Sequence, residues 1–187
     1  MAVIVSEEKS TNSTNIQFLD LHAACCIGLN GLTLNKMEGD NCTPIGTWPF
    51  RRVFYRADKQ DTPLTRLPLT KITKQMGWCD DPKDEENYNK LVELPYLYSH
   101  EQLWRDDDIY DIIVELGYND RPPVRGRGSA IFMHLMANRD LSTSIVKSTC
   151  PGVSMILIRC SFQWQVVAAD VIVIPRSCSC SIQSMVA

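Results

Sequence analysis

Two residues of this chain have the types and the spacing needed for nucleophilic catalysis. His134 ends the run Gly-Ser-Ala-Ile-Phe-Met-His at residues 128–134, and Cys150 follows sixteen residues later within Ser-Thr-Cys-Pro-Gly. A thiol becomes an effective nucleophile when a neutral imidazole within hydrogen-bond reach accepts its proton, which leaves a thiolate beside an imidazolium. The pair therefore indicates chemistry by an activated cysteine.

His134 also has a purely structural interpretation. Residues 129–136 alternate as a strand does, so Ile131, Met133 and Leu135 are expected on one face and Phe132, His134 and Met136 on the other. A histidine on such an apolar face is more often a core residue than a catalyst. The residue pattern alone leaves both interpretations open.

Composition limits the possible partners. The chain has 187 residues, of which 44% are apolar and 22% charged, with a net charge of −3. These values are typical of one globular domain, and the weakly acidic balance gives no reason to expect nucleic acid as a partner. The apolar stretch at 166–175 contains Asp170 and is too short to span a membrane. The first residues do not form a signal peptide, so the chain as written is expected to be cytoplasmic.

Eight cysteines raise the question of disulfides or metal. Their spacing contains no pair of Cys-x-x-Cys knuckles, and the histidines do not lie at zinc-ligand spacing. Free, mostly buried thiols in a reducing compartment are the favoured interpretation, with a structural zinc site as the weaker alternative. No cofactor and no metal site is predicted.

The elements that must position His134 are strands. Residues 1–15 are polar and are expected to form a flexible lead-in, and residues 16–187 a single domain with uncertain structure at 139–168. Turn residues punctuate the chain at 30–31, 38–41, 43–46, 61–63 and 80–82, and ten prolines argue against a helical bundle. Residues 109–116 and 129–136 read as strands, while Ser99 and Gln102 predict a short helix at 101–104. The predicted class is mainly β, with minor helix.

Several segments taken together resemble the L,D-transpeptidase catalytic domain family, the YkuD type, in its single-domain branch. The resemblance covers about residues 24–136. The segments that carry it are 26–40 with 43–53, 77–82 with Tyr88 and Asn89, 94–107, 110–120, and 126–134. Any one of these would be weak evidence, but five in order at sensible spacing are strong.

The resemblance implies a β-sandwich-like mixed sheet and acyl transfer between peptidoglycan stem peptides through a thioester. It implies His134 as the general base, Cys150 as the nucleophile, and a location in the periplasm or cell wall, which conflicts with the lack of a signal peptide. Gly128 and Ser129 match the run that leads into the histidine, and Thr149 and Gly152 flank the cysteine. Thr43, with Glu38 and Asp40, either shapes one wall of the cleft or only makes hydrogen bonds within its loop.

The chain departs from the family pattern around Cys150. The family places glycine directly before its cysteine, whereas here Gly152 follows it and Pro151 removes a backbone donor that could face an oxyanion. Residues 139–168 are unfamiliar although 169–174 resemble the closing strand of the family. Two interpretations remain: a reading-frame disturbance in the coding sequence, or natural divergence toward an inactive relative that binds wall peptides or a protein partner.

Three further groups have simpler interpretations. Trp48, Trp78 and Trp104 are expected to pack in the core or under a lid. Arg125 and Arg127 flank the glycines before His134 and could receive a substrate carboxylate, although a solvated loop is equally consistent. The acidic run at 106–108 is expected to be a solvated turn.

Overall fold

The computed structural model describes residues 4–8, 13–18, 21–135, 155–158, 164–166 and 173–175. These residues contain fifteen strands and no helix. The strands are β1 Ile4–Glu8, β2 Ser13–Phe18, β3 Leu21–Cys26, β4 Leu32–Thr33, β5 Thr43–Pro44, β6 Phe50–Tyr55, β7 Leu69–Lys71, β8 Met76–Cys79, β9 Leu91–Glu93, β10 His100–Gln102, β11 Ile112–Leu116, β12 Phe132–Leu135, β13 Met155–Ile158, β14 Trp164–Val166 and β15 Val173–Pro175. The mainly-β class expected from the sequence is confirmed.

The largest element is an eight-stranded mixed sheet in the order β1-β2-β3-β13-β12-β11-β6-β7. Its ladders are antiparallel except for β12 with β13 and β6 with β7, which are parallel. A three-stranded sheet, β10-β8-β9, and two short pairs, β4-β5 and β14-β15, complete the strands of the described residues. Strand β12, which carries His134, therefore lies between two neighbours in the middle of the large sheet.

Alternation along the central strands creates two cores, one on each face of the large sheet. Ile113 and Phe132 face one core and Ile112, Val114 and Met133 the other, as the period of two requires. On the first face, Trp78 of the small sheet packs edge-on against Phe132, with 5.1 Å between ring centroids. This contact joins the two sheets in the manner of a sandwich, and it confirms the expected core role of Trp78.

Three local predictions were wrong. Residues 101–104 are not a helix, because β10 pairs with β8 and places Glu101 opposite Trp78. Strand pairing and the burial of Leu103 outweigh the local capping signal. Thr43 and Pro44 do not begin a turn but form β5, which pairs with β4. The expected lead-in at 1–15 contains β1 and the start of β2, which pair with each other at the edge of the large sheet.

Burial of the cysteines among the described residues follows the prediction of mostly buried thiols. Cys25 and Cys79 are free and buried, Cys26 is buried, and Cys42 is free and half-buried. Cys25 and Cys26 point into opposite cores from adjacent positions of β3. No three His, Cys, Asp or Glu side chains of the described residues are grouped as metal ligands.

Candidate active site

His134 lies on β12, opposite Ile113 of β11 and Leu157 of β13. Its side chain is 4% exposed. Nδ1 lies 2.6 Å from the carbonyl oxygen of Leu135. A carbonyl oxygen can only accept, so Nδ1 carries the proton and Nε2 keeps its lone pair. Nε2 is buried and has no hydrogen-bond partner among the residues that the structure describes. The imidazole is therefore fixed as a proton acceptor at Nε2.

Burial controls the charge of this imidazole. It lowers the pKa of His134 to about 3, against a smaller opposing effect of the hydrogen bond to Leu135. The ring is consequently neutral near pH 7, which is the form that a general base needs. A buried imidazolium is costly unless a negative charge forms beside it, and a thiolate generated by the same proton transfer would supply that charge.

Tyr110 is the aromatic neighbour of His134. The two rings are edge-to-face, with 5.1 Å between centroids and 70° between planes. Tyr110 is 1% exposed. The backbone of this segment also meets β12, because Leu135 N–H donates to the carbonyl of Ile109 at 3.2 Å. Sequence reasoning missed Tyr110 because residues 109–111 read as the start of a strand, whereas β11 begins at Ile112.

Gly128 and Ser129 enter β12 through an unusual backbone path. Gly126, Gly128 and Ala130 all have positive φ, at 79°, 91° and 51°. At Gly128 a Cβ atom would lie 2.7 Å from Cγ of Lys36, so both the backbone angle and the close approach require glycine. Glycine at position 128 thus has a structural reason, and its role as a supporting or substrate-binding residue stays a prediction.

Ser129 ties this path to the neighbouring loop. Its hydroxyl donates to Glu38 Oε2 at 2.8 Å, and Tyr88 donates to the same oxygen. Glu38 N–H in turn donates to the carbonyl of Gly126 at 2.9 Å. The loop that carries Glu38 is therefore held directly against the residues that lead into His134.

The interior of that loop is organised by Asp40 and Thr43. Asp40 pairs with the buried Lys36 and accepts from the backbone N–H groups of Met37 and Cys42, both at 2.8 Å. Thr43 is buried, and its hydroxyl accepts from Gly28 N–H at 2.8 Å. These bonds agree with the interpretation of Glu38, Asp40 and Thr43 as residues that bond within and around their loop.

Asn89 is a second residue that sequence reasoning did not single out as functional. Its Oδ1 accepts from Trp78 Nε1 at 2.9 Å and from Ala130 N–H at 3.1 Å. Its Nδ2 donates to the carbonyls of Tyr118 and Asn119 at 3.1 and 2.8 Å. One buried amide thus connects the small sheet to the backbone four residues before His134. Its position beside Tyr88 in a resembling segment was the available signal.

The remaining predicted residues fall into two groups. Arg125 is exposed and pairs with Glu85 at 2.8 Å, while Arg127 is exposed with Nη1 4.0 Å from the sulfur of Met37. Their proposed role toward a carboxylate stays a prediction. Thr149, Cys150 and Gly152 lie outside the described residues, as does the unfamiliar stretch around them except for the strand positions at 155–158 and 164–166.

A comparison with protein families identifies the family of the chain. The model of the YkuD family, described as the L,D-transpeptidase catalytic domain, matches residues 3–149. The match extends beyond the resembling segments on both sides and stops one residue before Cys150. Neither the curated proteins nor the solved structures contained a match. Because the family model covers more than three quarters of the chain, this protein belongs to the L,D-transpeptidase catalytic domain family.

Proposed function

We propose that this protein is a cysteine acyltransferase that acts on the stem peptides of peptidoglycan, with His134 as general base and Cys150 as nucleophile. The observation that carries the proposal is the fixed tautomer of His134, whose Nδ1 is bonded to Leu135 and whose buried Nε2 is left as an acceptor. Family membership supplies the substrate class and suggests action at the cell wall or in the periplasm. No helix in the described part of the chain is long and apolar enough to cross a membrane.

The reaction would proceed in two balanced steps. Nε2 takes the proton of the Cys150 thiol, and the thiolate attacks the donor carbonyl that precedes a D-residue. The bond to the D-residue breaks, its amine leaves with the proton returned by the imidazolium, and a thioester remains. An amine of the acceptor stem then attacks the thioester, gives a proton to the departing sulfur through His134, and restores the thiol.

Chain connectivity supports the pairing of these two residues. Met155, the first residue of β13, pairs with Phe132, two positions before His134 on the adjacent strand. Met155 lies five positions after Cys150, and five extended residues span up to about 17 Å. A connection of this length permits the approach of Cys150 to Nε2 that the proposed proton transfer requires.

Acylation by a carbapenem tests the proposal, since this β-lactam class is a typical acyl donor for the family. Intact mass spectrometry with peptide mapping should find one adduct on Cys150, and the adduct should disappear in Cys150→Ser and His134→Ala. His100→Ala is the matched control, because His100 lies on the small sheet, and it should acylate like the parent. An adduct spread over other cysteines, or one that persists in His134→Ala, would contradict the proposal.

A second candidate is an inactive member of the family that binds wall peptides or a protein partner. The observation that favours it is the inverted order of glycine and cysteine, with Pro151 unable to donate a backbone hydrogen bond. Absence of any adduct, together with retention on insoluble peptidoglycan, would support this candidate. Unambiguous sequencing of the gene across codons 138–168 separates a frame disturbance from natural divergence.

A further inference from the structure

The segment before β11 carries an ordered group of side chains that the catalytic proposal does not use. Tyr110 packs on the imidazole of His134, and the guanidinium of Arg105 lies over the Tyr110 ring, 5.1 Å from its centroid. Asp107 and Glu101 bind Arg105 in turn. The acidic run at 106–108, expected to be only a solvated turn, thus includes a residue with a defined role in this group.

We propose that Tyr110 is a positioning residue for His134, and that Arg105 and Asp107 form the support that holds Tyr110 in place. This inference deepens the proposed function and takes its catalytic meaning from it. It adds no reacting group, because none of these residues is required to touch the substrate.

The first argument is the ring contact. An edge-to-face pair at 5.1 Å is within the preferred geometry of interacting rings. His134 also has a hydrogen bond at Nδ1. A single hydrogen bond still lets the imidazole rotate about its side-chain bonds, whereas the edge-to-face contact with Tyr110 restricts that rotation. Together the two contacts define the direction of Nε2.

The second argument is the anchoring of Tyr110. Arg105 covers its ring, and Asp107 holds Arg105 through a fork of two bonds, with Nε–Oδ1 at 3.0 Å and Nη2–Oδ2 at 2.6 Å. Glu101 adds a contact to Nη1 at 3.4 Å. Forked pairing of this kind fixes the orientation of the guanidinium as well as its distance, and so holds Arg105 over the Tyr110 ring.

The third argument is a chain of hydrogen bonds that begins at the same carboxylate. Asp107 Oδ1 accepts from Ile109 N–H at 3.2 Å, and the carbonyl of Ile109 accepts from Leu135 N–H at 3.2 Å. The carbonyl of Leu135 accepts from His134 Nδ1. Asp107 therefore supports the imidazole by two routes, one through the Tyr110 ring and one through the backbone.

Nitrogen NMR of the labelled full-length chain tests the proposal without requiring activity, because imidazole ¹⁵N shifts report which ring nitrogen carries the proton. The chain has three histidines, so substitution of His22 and His100 assigns the signals. The parent should show His134 protonated at Nδ1. Tyr110→Leu should mix the tautomers and slow carbapenem acylation at least tenfold, and Tyr110→Phe, which keeps the ring, should restore both.

Surface variants keep the test decisive if Tyr110→Leu fails to fold. Asp107→Asn and Arg105→Gln should mix the tautomers and slow acylation at least threefold, while Asp106→Asn, with the same loss of charge in the same turn, should not. A single Nδ1–H tautomer and parental acylation in Tyr110→Leu, or in Asp107→Asn, would overturn the proposal. If the parent is not acylated but its tautomer depends on Tyr110 and Asp107, the positioning role stands and the proposed enzymatic function fails.

Discussion

Replacement of Asn89 by alanine should destabilise the protein far more than an ordinary polar substitution. The side chain is 6% exposed and makes four hydrogen bonds, two as acceptor and two as donor. The two donors that it satisfies, Trp78 Nε1 and Ala130 N–H, belong to buried residues. Asn89 also has φ of 57°, a left-handed conformation that asparagine tolerates better than alanine.

The magnitude follows from these three losses. A buried donor left without a partner costs about 1 to 3 kcal/mol. Asn89→Ala leaves two such donors, Trp78 Nε1 and Ala130 N–H. The left-handed backbone adds about 1 kcal/mol for a residue with Cβ. Asn89→Ala should therefore lower the free energy of unfolding by at least about 3 kcal/mol. Asn89→Gly loses the same bonds without the backbone strain and should be about 1 kcal/mol more stable than Asn89→Ala.

Urea unfolding followed by far-ultraviolet circular dichroism measures these differences. Tryptophan fluorescence is unsuitable, because Trp78 is itself a partner of Asn89. A loss of 3 kcal/mol corresponds to a midpoint lower by roughly 1 to 2 M urea. Asn87→Ala is the matched control in the same turn, with a half-buried amide bonded to Asp84 at 3.3 Å, and should lose less than about 1 kcal/mol. Equal midpoints for the two alanine variants would refute the reasoning.

Three further predictions follow from the described residues. Gly128→Ala should be more destabilising than Gly31→Ala, because both glycines have φ near 90° but only the alanine at 128 places its Cβ against Lys36. Paired urea titrations measure the difference in the free energy of unfolding, and equal losses would contradict the prediction. Because the pKa of His134 is depressed, the unfolded chain takes up a proton at this residue between pH 6.5 and about 3 while the folded chain does not. The neutral imidazole therefore costs no stability above pH 6.5, and the free energy of unfolding falls as the pH is lowered from 6.5. In this pH range the free energy of unfolding should fall less steeply in His134→Asn than in the parent, by up to about 1.4 kcal/mol per pH unit, and equal slopes would count against this prediction. Burial raises the pKa of Cys25 to about 12 and of Cys26 to about 11. Iodoacetamide at pH 8 should therefore modify the half-buried Cys42 before either of them. Peptide mapping over time gives the order of labelling, and earlier labelling of Cys25 or Cys26 would contradict the prediction.

Much of the sheet could be predicted from local patterns. The alternation at 129–136 gave the correct faces for Ile131, Met133 and Leu135, because the side-chain period of a strand is independent of its partners. The turn at Asn30 and Gly31 was also predictable, since Gly31 takes φ of 84°. The order of the strands was not, because the neighbours of β12 are determined by pairing with segments as distant as β13 and β11.

The failed helix at 101–104 has the same origin. Ser99 and Gln102 give a valid capping pattern, but His100–Gln102 gains a full ladder with β8 and buries Leu103 between the sheets. A local preference of a few tenths of a kcal/mol per residue cannot compete with ladder bonds and core burial. The local pattern contains no information about β8, whose paired residues lie 21 to 25 positions earlier in the chain.

For the site, the sequence by itself determined the family and offered a candidate pair, a histidine and a cysteine whose types can perform nucleophilic chemistry together. These depend on residue types in order along the chain. Only the tertiary structure decided which nitrogen of His134 is free to accept, that Tyr110 packs on the ring, and that Asp107 and Asn89 hold the backbone around it. Tautomer, ring contact and hydrogen-bond partner depend on distances between residues from separate segments, and such distances exist only once the strands have paired.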